Sequence, residues 1–135
     1  MHYIERIVKK SEFQNKLDKT IKTLKKTQHN VILVGDIPKY KVHPADCIYG
    51  NSLKKAQDYC SMPILDFDKQ KQLYETSLIY LANKNNVKYI PIHKPLCDVE
   101  ICSMITMDTI LYRDKNHLNI LGSKLVGAYL AEQLK

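Results

Sequence analysis

The sequence predicts an α/β layered fold with a parallel sheet of about three strands. Apolar residues recur at helical spacing in long stretches, unbroken apolar runs rich in β-branched residues stand between them, and the two kinds of segment alternate along the chain. A length of 135 residues supports a single domain, 1–135, with a core of moderate size.

The elements follow in order. Ser11 and Gln14 form a capping-box pattern that opens a helix, and Phe13, Leu17, Ile21 and Leu24 continue it at helical spacing until "TQHN" ends the run. Val31 to Val34 is an apolar run that suits a strand covered on both faces, and Pro38 forbids its continuation as a central strand. Residues 39–50 read as a loop and Ser52 to Tyr59 as a short helix. Asp66 or Asp68 then caps a longer helix, with Phe67, Tyr74, Leu78 and Leu81 as its inward stripe. "NKNN" breaks it, "VKYIPIH" is the second buried strand, and "TILY" is a short third. Asn119 caps the final helix, whose Leu121, Leu125 and Ala128 are expected to face the core. Three strands are few for this architecture, and a long strand edge would stay open.

Composition excludes several classes. No run approaches the roughly 18 consecutive apolar residues of a membrane span, and the opening "MHYIERIVKK" has charge but no apolar core of a secretory signal. The net charge of +7 invites a nucleic-acid reading, yet only Arg6 and Arg113 are arginines and no basic run is interleaved with stacking aromatics. The lysines read as solvated surface, able to concentrate an anionic glycan or membrane surface, and no nucleic-acid partner is expected. A small basic nucleic-acid-binding protein stays a rival, marked by binding that weakens steeply with salt. Cys47, Cys60, Cys97 and Cys102 allow three pairings, and four buried thiols are the alternative. With no CxxC and no zinc-like spacing with histidine, no metal and no cofactor is expected.

The chemistry-bearing stretch is "LYRDKNHLN", Leu111 to Asn119. In hydrolytic triads a His takes a hydroxyl proton while a carboxylate holds the imidazole in the right tautomer. Asp114 and His117 are of those types, and a turn before a helix can bring them together. Taken alone, the pair is better explained by an exposed Asp and a His near a helix start.

The surroundings add a resemblance. "LYRDKNHLNILGSKLVG" is similar to the last conserved block of SGNH hydrolases, with Tyr112, Asp114, His117, Leu118 and Gly122 matching and Asn119 in place of the usual Ser. "VILVGDIPKY" and "VKYIPIHKPLC" resemble two further blocks, most of all in the SGNH domain fused behind acyltransferase-3 membrane domains. The resemblance covers roughly residues 10–135 and implies a three-layer α/β/α, flavodoxin-like SGNH fold. It further implies His117 as general base and acid and Asp114 as its orienting partner. The implied reaction moves an acyl group, usually acetyl, to or from a hydroxyl of lipopolysaccharide, peptidoglycan or another surface glycan. A glycan acceptor and an acyl donor are then the partners, and the periplasm or the cell exterior is the setting. That setting fits a Cys97–Cys102 staple of the loop "CDVEIC".

One departure is large. The family's catalytic Ser sits in a Gly-Asp-Ser block, whereas Gly35-Asp36 is followed here by Ile37 and matches a later strand by position. Ser11 and Ser52 read as helix caps, and Ser61, Ser77, Ser103 and Ser123 lack the Gly-Asp context. The expectation is a C-terminal half of an SGNH domain, carrying the pair without its nucleophile and inactive alone. It would need a missing N-terminal half-domain or a membrane acyltransferase domain as partner; the rival is a non-catalytic remnant or docking half. His93, His43 and Asn116 are read as surface residues, and Tyr40, Tyr49, Tyr59 and Tyr74 as packing residues that could also stack on sugar.

Overall fold

The computed structural model describes residues 2–48, 58–106 and 109–135, the side chains of 2–8 and 48 aside. Two compact units result, Met1–Gly35 with Leu73–Ile90 and Asp36–Gln72 with Pro91–Lys135.

The first unit packs two helices on a small parallel sheet. Helix α1 runs His2–Lys26, so Ser11 lies well inside it and caps nothing. The residues before Ser11 include no Gly or Pro to stop a helix, and the turn continues through them. Strand β1 (Ile32–Val34) pairs in parallel with β3 (Lys88–Ile90), placing Leu33 opposite Tyr89, and Gly35 N–H extends the ladder to Ile90 O at 2.9 Å. Ile21, Leu33, Leu81 and Ala82 form the core. Of the four residues at helical spacing on α1, Phe13 and Leu24 lie 45% and 40% exposed, while Ile21 is buried. Ile32 and Val34 are exposed as well, so β1 is covered on one face and not on both.

The expected helix from Asp66 or Asp68 to the "NKNN" break is two helices. Helix α3 (Ile64–Lys71) follows Pro63, and α4 (Glu75–Asn85) ends at Asn86 in the left-handed conformation, φ 49°. Neither Asp66 nor Asp68 occupies a cap position. The turn at 72–74 divides the expected stripe: Phe67 belongs to the second unit, Leu78 and Leu81 to the first.

The second unit holds α2 (Pro44–Ile48), β2 (Ser61–Pro63) antiparallel to β4 (Ile101–Ser103), and α3. A short hairpin follows, β5 (Ile105–Thr106) with β6 (Thr109–Ile110), and then helix α5 (Ile120–Gln133). The "TILY" strand therefore pairs antiparallel with its own neighbour, and the parallel sheet has two strands among the described residues. The short helix expected from Ser52 lies outside the described residues except at Asp58 and Tyr59. Of the three cysteine pairings, Cys47–Cys60 and Cys97–Cys102 form, with Cα separations of 5.9 and 4.0 Å. The first is wholly buried, in a core with Phe67, Met104, Leu111 and Tyr112.

Helix α5 presents a different face from the expected one. Gly122 and Val126 are buried, while Leu121 and Leu125 are 52% and 36% exposed and Ala128 is exposed too. Asn119 caps it as expected, its Oδ1 accepting the Gly122 N–H at 2.9 Å. Gly122 sits so close to the Leu111 carbonyl that a Cβ there would collide with it, which is why the first turn of α5 needs glycine.

Candidate active site

Between β6 and α5 the chain makes a short loop closed at its base by a bridge between Tyr112 and Leu118 and by Arg113 N–H donating to His117 O at 2.9 Å. Asp114 organises the loop from within. Its Oδ1 accepts the backbone N–H groups of Asn116 at 2.8 Å and His117 at 2.9 Å, an Asx-type turn. The turn swings the His117 ring back over the carboxylate, with Nδ1 at 2.9 Å from both oxygens. The Asn116 amide above all, with the His117 ring and amide, holds the Asp114 carboxyl down at about 2, well under its ordinary 3.8, so it is ionised near neutrality. An ionised Asp114 fixes a proton on Nδ1 and leaves Nε2 as the basic nitrogen. No described residue hydrogen-bonds Nε2, and the His117 side chain is 64% exposed. The arrangement can take a proton from a hydroxyl brought to Nε2 and return it to a leaving group.

Asn116 contributes a backbone amide to this turn and its side chain is exposed. Arg113 lies outside the pair, its guanidinium 3.6 Å from Asp114 Oδ2 on the open side. Beneath the loop, Tyr112 is buried and donates its hydroxyl to Pro38 O at 3.0 Å, and Tyr40 N–H donates to Lys115 O at 2.9 Å. The two tyrosine rings meet edge to face with centroids 5.1 Å apart. Sequence reading placed Tyr112 in a motif but did not foresee these partners, since nothing local to "IPKY" points to a loop more than seventy residues on.

Among the described residues no serine, threonine or cysteine is hydrogen-bonded to His117. Ser77 is buried and accepts from Gln14 at 2.9 Å, Ser103 accepts the Ile105 N–H, and Ser123 is exposed on α5. Ser52 and Tyr49 lie outside the described residues. Cys97 and Cys102 are bonded to each other and offer no thiol. His93 is a core residue and not a surface one, 8% exposed with its ring 4.8 Å from that of Phe67. The exposed loop around His43 uses its Nδ1 to accept the Ala45 N–H at the start of α2. Tyr40 is buried, Tyr74 half-buried and Tyr59 exposed. Among the described residues no group of three or more His, Cys, Asp or Glu is placed to hold a metal ion. No helix among them is long and apolar enough to cross a membrane.

A family model for the SGNH domain fused to AT3 domains matches residues 2–132, almost the whole chain, and so embraces both units and the Asp114–His117 loop. The chain belongs to this SGNH domain family. No curated protein and no solved structure matches it. As an SGNH domain of the AT3-fused kind it is associated with acyltransferases, and its small parallel sheet with mixed helices and strands is an incomplete α/β fold.

Proposed function

We propose that this SGNH domain supplies the proton-handling pair of an O-acyltransferase that acetylates cell-surface glycans such as lipopolysaccharide or peptidoglycan. His117 acts as general base and then general acid, and Asp114 holds its ring. The observation that carries this reading is the doubly accepted Nδ1 contact on a carboxylate pinned by two backbone amides, with Nε2 turned to solvent. The hydroxyl that Nε2 serves and the oxyanion donors come from outside these 135 residues, from an N-terminal half-domain or a membrane acyltransferase domain. An acyl donor and a glycan acceptor complete the set of partners. Two disulfides favour an oxidising setting, the periplasm or the exterior face of the membrane.

Losing the nucleophile of a hydrolytic triad costs about 10⁶-fold in rate, so the isolated chain should not turn over acetyl esters. A p-nitrophenyl acetate assay checks this; turnover abolished in His117→Ala would place the nucleophile within the chain and overturn that part of the reading. In the native host, His117→Ala should remove ester-linked acetyl groups from the surface glycan, read by mass spectrometry. Unchanged acetylation would sink the acyltransfer reading itself.

A second reading, a non-catalytic half-domain that docks with a separately encoded partner, draws support from the two-stranded parallel sheet. Ile32 and Val34 stand exposed on it. It predicts acetylation that survives His117→Ala but fails on deletion of the whole domain.

A further inference from the structure

We propose that Gln70 is a positioning residue for the Asp114–His117 pair, acting through the segment Pro38–Tyr40; the inference rests on the acyl-transfer reading above.

The pair's loop is exposed at Arg113, Lys115, Asn116 and His117, and its internal bonds give it shape but no fixed seat. Two of its tethers run to one segment. Tyr112 Oη donates to Pro38 O, and Lys115 O, at the tip of the loop, accepts Tyr40 N–H. Pro38 is fully buried, yet the segment belongs to no strand ladder among the described residues. Something else must fix it.

Gln70, half-buried on α3, does so by imitating a strand neighbour. Its Oε1 accepts Lys39 N–H at 3.1 Å and its Nε2 donates to Lys39 O at 2.8 Å. One primary amide thus satisfies both backbone groups of a single residue, the exchange that a hydrogen-bonded antiparallel pair makes. Lys39 lies between the two residues that hold the loop. A displacement at Gln70 therefore passes to Pro38 O and Tyr40 N, and from them to Tyr112 and Lys115 on either side of Asp114. Glutamine suits the position because one planar group of the right reach carries both a donor nitrogen and an acceptor oxygen; glutamate has acceptors alone at neutral pH.

The test is NMR on the whole chain with ¹⁵N and ¹³C labels, reading the His117 ring tautomer and the Asp114 carboxyl titration. Asp114→Asn defines the uncoupled limit for the ring. Gln70→Ala should shift His117 toward the Nε2–H tautomer and raise the Asp114 midpoint from about 2 toward 3.8, with Gln70→Glu in between. Leu96→Ala, buried in the same unit but with no side-chain bond to the loop, should lower stability and leave both signals in place. If Gln70→Ala loses stability while both signals stay as in the unaltered protein, Gln70 is merely structural and the inference fails. If Gln70→Ala does not fold, Tyr112→Phe, which keeps the ring and deletes the bond to Pro38, must produce the same two shifts. Unchanged signals there also overturn it. An unchanged tautomer in Asp114→Asn would instead bring down the pair, and the failure would belong to the functional reading.

Discussion

The two units stabilise themselves by opposite means. The first carries ten Lys or Arg against four Asp or Glu, so it holds six of the seven net positive charges, and the second is nearly balanced at eleven against ten. The first has no disulfide; the second has both. In the first, the buried polar centre is Asp18, which accepts from Lys22 at 2.7 Å, Asn85 at 2.8 Å and Lys84 at 3.0 Å. In the second, among the described residues, the hydroxyl of Tyr40 is buried beside that of Tyr112 without a well-formed hydrogen bond. One unit centres its core on a charge-paired carboxylate. The other depends on covalent staples and on close packing under its loop, and is the one that bears the pair.

The sharpest way to break this contrast is reduction. Cys47→Ser with Cys60→Ser opens a loop of 13 residues' separation, which a chain-entropy account values at about 3 kcal/mol. Hydrogen exchange should show protection falling across the second unit while Leu33, Leu81 and Ile90 amides keep theirs. Equal loss in both units would show that they do not stabilise separately. Next in size is Gly122→Ala. The added Cβ meets the Leu111 backbone, which cannot rotate aside as a side chain can, so a loss of about 2 kcal/mol is expected in chemical denaturation. A neutral result would mean that the first turn of α5 shifts freely, and with it the cap that ends the pair's loop.

What the sequence made legible tracks the distance over which each feature is decided. Asp114 and His117 are three residues apart on one loop, and Asn119 caps the helix it begins; all of this is local chemistry. The seat of the loop was not legible, because Tyr112 reaches Pro38 across 74 positions and Gln70 reaches Lys39 across 31. The Ser11–Gln14 pattern misled because a capping signature has no force inside a helix that nothing interrupts. Helix α5 is apolar nearly all round, so periodicity could not choose between the Leu121–Leu125 face and the Gly122–Val126 face. Packing chose the face where a glycine allows close approach. The stripe from Phe67 to Leu81 looked continuous because its spacing carries across the turn at 72–74.

Acid acts on the first unit through Asp18, as it acts on the second through Asp114. Asp18 lies well below its ordinary 3.8, chiefly because Lys22, Asn85 and Lys84 hydrogen-bond its charged form. A depressed carboxylate contributes stability that is fully present above the unfolded value and is lost as pH falls through the folded one. The first unit should therefore weaken as pH drops from about 4 toward 2, and Asp18→Asn should flatten that dependence in a pH series of unfolding curves. An unchanged slope in Asp18→Asn would assign the acid sensitivity to other carboxylates.

The smallest effect has the opposite sign. Tyr40 is 6% exposed, and its hydroxyl is buried beside that of Tyr112, which donates its own hydrogen to Pro38 O. Burial pushes the Tyr40 hydroxyl above its ordinary 10.0 and outweighs the Tyr112 hydroxyl beside it, so it stays neutral, and among the described residues no well-formed hydrogen bond replaces the water it has lost. Tyr40→Phe keeps the edge-to-face contact and the backbone bond to Lys115, removes the unsatisfied group, and should raise stability by up to about 1 kcal/mol. Thermal unfolding reads it, together with the His117 tautomer, which should not move because Tyr112 keeps its bond to Pro38 and the Tyr40 amide its bond to Lys115. A loss of stability would mean that the hydroxyl has a water or a protein partner, and that the second unit satisfies its buried polar groups as fully as the first satisfies Asp18.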